Sequence, residues 1–392
     1  MVNKDVTLSF SKGMKQTEIG LIPEDWEVKE LQEIVFFLDH QRKPIKSSER
    51  KSGEYPYFGA SGVIDYVDSY IFDDELLLLG EDGENILSRN LPLVYYVNEK
   101  CWINNHAHVL KCKDLVKPIY LLNKLESLDY THLNSGTAQP KLNKESCKSI
   151  KIPLPPLAEQ EAIANALSDA DAWVEKLEQL IAKKLLIKQG AMQTLLTPKD
   201  DWEVKKLGEV CDVVGGGTPS TFIPEYWNGD VIWFTPTEVG NSKYLYNSSR
   251  KLSELGLKNS SATILPINTI LLTSRAGIGD LGILKVIACT NQGFQSLICK
   301  PNANYEFVYY MMQTKKNELL SNASGSTFLE ISPNKVKAIS FPIPSLSEQE
   351  RIATILSDMD AEIDVLEQQL GKAHQIKQGM MQELLTGKTR LI

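Results

Sequence analysis

Five cations fall within about ten residues of the stretch HQRKPIKSSERK: Arg42, Lys43, Lys46, Arg50 and Lys51. That density suits contact with phosphate oxygens, and a solvated loop is the alternative. The same block carries Tyr57, Ser61, Asn104, Asn105, His106, His108, Gln139 and Lys141. A later block offers Thr218, Asn241, Lys243, Tyr244, Arg250, Lys251, Arg275, Asn291, Gln292 and Thr327. Arg, Lys, Asn and Gln can pair with guanine or adenine edges in a major groove, while Ser and Thr position phosphates. The residue types therefore point to contact with nucleic acid, although any one of them could be an ordinary surface residue.

Patterns for catalysis are missing. An adenine methyltransferase needs an Asp/Asn-Pro-Pro-aromatic motif, and the pair Pro155-Pro156 is flanked by leucines. Gly387-Lys388-Thr389 resembles the end of a phosphate-binding loop, but Gln382 stands where that loop needs glycine. The EVK strings at 27–29 and 203–205 imitate an acidic-x-Lys nuclease pair, yet they alternate with apolar residues as a half-buried strand does. His106 and His108 share one strand face without a third ligand, so hydrogen bonding or nucleic-acid contact is preferred and no metal site is expected.

The elements that must position these residues are written twice. PLPPLAEQEAIANALSDADAWVEKLEQLIAKKLLIKQGAMQTLLTPK, from Pro153 to Lys199, returns between Pro342 and Lys388 at a constant offset of 189, with about 27 identities over 47 positions. Within it Ile163, Leu167, Ala170, Val174, Leu177 and Ile181 form a coiled-coil seam, matched by Ile352, Leu356, Met359, Ile363, Leu366 and Leu370. Two matched seams in one chain are expected to pair, antiparallel, with the variable blocks at opposite ends. Continuing the heptad puts Lys184 and Lys188 in the seam, so a shift of the stripe to Ile187, Ala191 and Leu195 is expected. Gly190 and Gly379 fall mid-helix at a cost of about 1 kcal/mol each, which predicts close approach of two backbones, with a tolerated kink as the alternative. A helix from Glu159 to Thr197 makes a rod of roughly 58 Å. Ser347 and Glu350 form an S-x-x-E capping box at the start of the second copy.

A shorter repeat, PEDWEVKEL at Pro23 and KDDWEVKKL at Lys199, opens each variable block as a strand with one buried face. Each block closes on a Ser-Gly turn, a short helix, a strand and a proline hinge (135–155 and 324–344). The expected architecture is two α/β (α+β) heads with mixed sheets and two long helices as an antiparallel coiled coil, a pseudo-twofold repeat. Its segments are 1–25, 26–152 (first head), 153–199 (helical spacer), 200–341 (second head) and 342–392 (helical spacer).

Composition excludes other classes. With 42% apolar and 23% charged residues over 392 positions, the chain is globular rather than disordered. No apolar run approaches the roughly 18–20 residues of a membrane span and no secretory leader opens it, so a cytoplasmic location is expected. Six cysteines without a CxxC pair suggest reduced, structural thiols. A formal charge of −8 argues against coating nucleic acid by bulk attraction, leaving local patches.

The IPEDWEVKEL opening, the GGGTPS turn, YPYFGASG at Tyr55 to Gly62, the IPLPPLAEQE hinge and the KQGAMQTLLT and KQGMMQELLT helix ends resemble specificity subunits of type I restriction-modification systems over almost the whole chain. The resemblance implies two target recognition domains, each reading half of a bipartite asymmetric site in double-stranded DNA, on helices that set the gap and dock two methylation subunits. It implies no cofactor for this chain, S-adenosylmethionine in the methylation subunits, and ATP and Mg in the motor-nuclease subunits. The heads differ by 13 residues between their opening and closing motifs, so different half-sites are expected. A coiled-coil tether with two protein-binding heads and a component of a fused, non-type-I enzyme are the alternatives.

Overall fold

The computed structural model describes residues 13–136, 139–275, 277–325 and 329–391. Two compact units divide it, 1–178 with 368–392 and 179–367, so each long helix is shared between them. Both helices are 39 residues, Leu157–Leu195 and Leu346–Leu384, and their ends keep the offset of 189.

In the first unit, Glu27–Glu30 pairs antiparallel with Lys151–Leu154, so the head opens and closes on adjacent strands. An antiparallel sheet follows in the order Val35–Phe37, Ala107–Cys112, Leu76–Gly80, Val94–Val97. The second of these sheets, Gly62–Val67, Ser52–Gly59, Trp102–Ile103, contains a parallel pair with Tyr57 opposite Trp102. Leu76–Gly80 is buried throughout, as its unbroken leucine run requires.

The second unit repeats this plan. Glu203–Lys206 pairs with Ser340–Ile343. The main sheet runs Cys211–Gly215, Gln295–Cys299, Ile270–Leu272, Leu281–Leu284, with Tyr244–Leu245 added in parallel at its edge. The smaller sheet is Lys251–Leu252, Trp227–Phe234, Cys289–Thr290, again with a parallel pair, Trp233 opposite Cys289. The strand holding YPYFG therefore has a counterpart in Trp227–Phe234 that sequence comparison does not show. One expectation fails at the opening strand: Trp202 and Leu207 are buried but Val204 is 71% exposed, because a two-stranded sheet leaves that face uncovered.

Within the first unit Asp171 of the first long helix pairs with Lys377 of the second, and Glu178 lies 3.9 Å from His374. Within the second unit Lys184 pairs with Glu362 at 2.6 Å, Lys188 with Asp360, and Lys199 with Glu348 at 3.3 Å. Partner numbers fall as the first helix advances, which is antiparallel pairing. Asp171–Lys377 and Asp360–Lys188 are one bridge made twice, since each residue maps onto its counterpart by the offset of 189. Ile163, Leu167, Val174, Leu177, Ile181, Ile352, Leu356 and Ile363 are buried, while Leu366 and Leu370 are half-buried. Burial of each leucine is worth roughly 1.5–3 kcal/mol against about 0.3–1 for an exposed ion pair. The apolar seam thus holds the helices and the charges select their register.

Three helix expectations are corrected. Of the expected stripe Ala191 and Leu195 pack against the second unit's core but Ile187 is 46% exposed; Lys184 and Lys188 stay in the seam because acidic partners face them. No backbone approaches Gly190 or Gly379, where an added Cβ meets nothing within 4 Å. The second helix starts at Leu346, ahead of Ser347, so no capping box forms there.

Its start is fixed by Gln349 instead. The Gln349 amide donates to the carbonyls of Pro344 and Asn302 and accepts from Asn304 N–H. Gln160 does the same with Pro155, Leu115 and Lys117. The neighbouring Glu159 is fully buried and takes Trp26 Nε1 at 2.8 Å and Arg390, which also grips Asp25. Gly387, at φ 71°, lies so close to Pro23 that a Cβ would overlap it, so the tail seals the first head. In the second unit Glu348 turns to Lys199 and Arg351, and the Trp202 indole N–H is buried without a partner among the described residues.

Candidate nucleic-acid interface

In the first head four turns meet around Glu81 and Asp82. Glu81 N–H donates to His106 O at 2.9 Å, Leu142 N–H donates to Glu81 O at 2.7 Å, and the backbones of Asp82 and Lys141 form an isolated antiparallel β-bridge. Asn104 shapes the third turn by accepting His106 N–H at 2.7 Å. Arg42 donates to Glu81 at 2.6 Å and to Ala107 O at 2.7 Å, Lys141 lies 3.2 Å from Glu81, and His106 Nδ1 lies 2.8 Å from Asp82.

Beneath them His108 is 1% exposed, its Nδ1 2.9 Å from Asp39 and its Nε2 3.0 Å from Leu142 O. Both ring nitrogens face acceptors, as an imidazolium requires. Burial pulls the His108 pKa down, but hydrogen bonds to Asp39 and Cys147 and the Asp39 charge outweigh it and raise it to about 10. Burial likewise pushes Asp39 up, but the hydrogen bonds from His108 and Val109 N–H and the charges of His108 and Arg42 together reverse this, leaving it below its usual value. Glu81 is depressed in the same way, against its burial, chiefly by Arg42.

The second head reproduces this frame with other side chains. Ser274 N–H donates to Gly293 O at 2.8 Å, Ile331 N–H donates to Ser274 O at 3.1 Å, and Asn291 accepts Gly293 N–H at 2.8 Å. Asn104 N–H and Asn291 N–H donate to Phe58 O and Phe234 O, each at 3.1 Å. By these bonds Glu81, Asp82, Asn104 and His108 correspond to Ser274, Arg275, Asn291 and Gln295. An acidic pair has become Ser-Arg. Arg275 donates to Gln292 O at 2.8 Å and lies 3.6 Å from Glu330, while Thr218 donates to the Gln292 side chain. Two of the glycines before Thr218 are needed for packing: a Cβ on Gly216 would strike Asn291 O at 2.1 Å, and one on Gly217 would strike Ser261 Oγ at 2.3 Å.

Six assigned contacts are corrected to scaffold. Tyr57, Asn104 and His108 are buried, and Arg42, with 14% side-chain exposure, is spent on Glu81 and three carbonyls. Lys243 donates to Tyr310 and Ser357, and Tyr244 to Glu306, which ties the second head to the long helix. Burial lowers the Lys243 pKa, opposed by Glu306 and Asp360. Lys43, Lys46, Lys51, Ser61, Asn105, His106, Gln139 and Lys141 are exposed in the first head, and Thr218, Asn241, Arg250 and Gln292 in the second. Lys251, Arg275 and Asn291 are half-buried. Arg50 lies 4.4 Å over the Tyr57 ring and pairs with Asp65, and Arg250 lies 3.9 Å over Trp227. Thr327 lies outside the described residues. Gln160, Gln349, Glu159 and Arg390 were missed; identity of the Glu-Gln pair in both repeats was the available signal for the first three.

Among the described residues no group of three or more His, Cys, Asp or Glu side chains is placed to hold a metal ion, and no helix is long and apolar enough to cross a membrane.

Residues 23–186 and 199–375 match the family described as type I restriction modification DNA specificity domain. The type I restriction enzyme MjaIX specificity subunit of Methanocaldococcus jannaschii is 46% identical over 167 residues, 42% of this chain and only 38% of that relative's length. The putative MjaX specificity subunit of the same organism is 26% identical over 434 residues, covering 98% of this chain and 99% of the relative. The type I restriction-modification S subunit of M. genitalium has a similar fold, with a TM-score of 0.65 at 16% identity over 96% of this chain and 98% of that one. Two family segments, each coinciding with one head and a stretch of the long helices, cover most of the sequence, and the chain belongs to the type I restriction modification DNA specificity family.

Proposed function

We propose that this chain is the non-catalytic, DNA-reading subunit of a type I restriction-modification complex in the cytoplasm. Each head contacts one half of a bipartite, asymmetric site in double-stranded DNA. The paired helices set the gap and dock two methylation subunits, which use S-adenosylmethionine; motor-nuclease subunits supply ATP- and Mg-dependent steps. The observation that carries the reading is the pair of heads with one topology and one set of turn hydrogen bonds but different charge at matching positions, Glu81-Asp82 against Ser274-Arg275. A conserved frame with exchanged side chains is what two readers of different sequences need.

Moving residues 200–341 into another specificity frame tests it. Methylome sequencing should then find one half-site transferred unchanged, and a hybrid sharing neither half-site with its parents would refute the assignment.

A further inference from the structure

We infer that Arg275 is a base-reading residue of the second head and takes a guanine in its half-site, an inference that rests on the DNA-reading function above. Arg275 occupies the position that Asp82 holds in the first head, as the matching turn bonds of Ser274 and Glu81 establish. Asp82 is consumed there by His106. Arg275 is held but not consumed. Gln292 O takes one Nη2 hydrogen at 2.8 Å, Glu330 stands 3.6 Å from the same nitrogen, and 35% of the side chain is exposed. Nη1 has no partner among the described residues. A guanidinium fixed on one edge and free on the other suits the O6 and N7 acceptors of guanine.

A second observation marks this place as incomplete. In the first head Glu81 and His108 are satisfied by Arg42, Lys141, Asp39 and Leu142 O. Their counterparts, Ser274 Oγ and Gln295 Oε1, are buried without partners among the described residues. Arg275 Nε is likewise buried without a partner among the described residues, so this corner keeps hydrogen-bonding capacity that the first head's corner has spent.

The test uses the full chain with its methylation partner and a duplex library randomised over both half-sites. The wild-type complex should select one guanine in the second head's half-site that R275A no longer selects, with a loss of about tenfold in discrimination at that base pair and every other position unchanged. R275K should keep partial preference, because a point charge still favours the guanine acceptors. Thermal midpoints of wild type and R275A should agree, which separates reading from support. Retention of every preference by R275A overturns the inference, as does loss of all preferences together with a lowered midpoint, which would make Arg275 a strut for Gln292 and Glu330. A wild-type complex without any sequence preference would instead sink the DNA-reading function beneath it.

Discussion

Replacing His108 with glutamine, the residue the second head carries at the same place, isolates the buried charge network. His108 donates from both ring nitrogens, to Asp39 at 2.9 Å and to Leu142 O at 3.0 Å, at 1% exposure. Glutamine keeps the volume but no charge, leaving the buried Asp39 carboxylate with Val109 N–H at 2.9 Å and with Arg42 and Lys144 no nearer than 3.8 Å. Loss of a charge-assisted bond to a buried carboxylate costs about 2–3 kcal/mol. For a unit of this size that lowers the melting temperature by roughly 5–10 °C. The pH dependence has a definite sign. A histidine whose folded pKa is raised from 6.5 to about 10 contributes stability fully present below pH 6.5 and lost as pH rises toward 10. The melting gap between wild type and H108Q in the first unit's transition should be widest near pH 6 and close by pH 10. A gap independent of pH, or no gap at all, would show that His108 is a neutral filler.

Reversing Asp171 to lysine should lower stability by about 1 kcal/mol, and adding K377D should restore most of it; the partners are 48% and 26% exposed, which keeps the effect near surface-pair size. Strictly additive single and double variants in a thermal double-mutant cycle would mean that the bridge does not select the register. Substituting Lys46 and Lys51 with alanine should weaken DNA binding at every sequence and reduce the salt slope by about two, since each exposed lysine releases about one counterion. By contrast R42A should lower thermal stability more than affinity, and an unchanged melting curve would return Arg42 to the interface.

The long helices were legible because their signal is local. A seam repeating every three or four residues needs no knowledge of the partner, and the constant offset carried both ends across to the second copy. What was missed depends on distant partners. Lys184 and Lys188 look like a break in an apolar stripe until Glu362 and Asp360 are seen opposite them. Ser347 and Glu350 looked like a cap, yet the residue that fixes the helix start is Gln349, whose partners Asn302 and Asn304 are 45 to 47 residues away. Arg390 meets Glu159 across 231 residues, beyond any local pattern. In the heads, residue type alone could not separate His106, which faces solvent, from His108, which does not. Alternation along a strand places both on one face, and only the turn between Asn104 and Ala107 separates their surroundings. The correspondence of Asp82 with Arg275 was invisible because loop lengths differ while the hydrogen-bonded turns do not.

Mapping methylated adenines in cells that carry this chain and its methylation partner bears most directly on the two-headed reading. Two short defined sequences separated by a fixed unspecified gap, unlike one another, should emerge as the modified motif. A single continuous motif, or two identical halves, would be incompatible with two independent heads on a helical spacer.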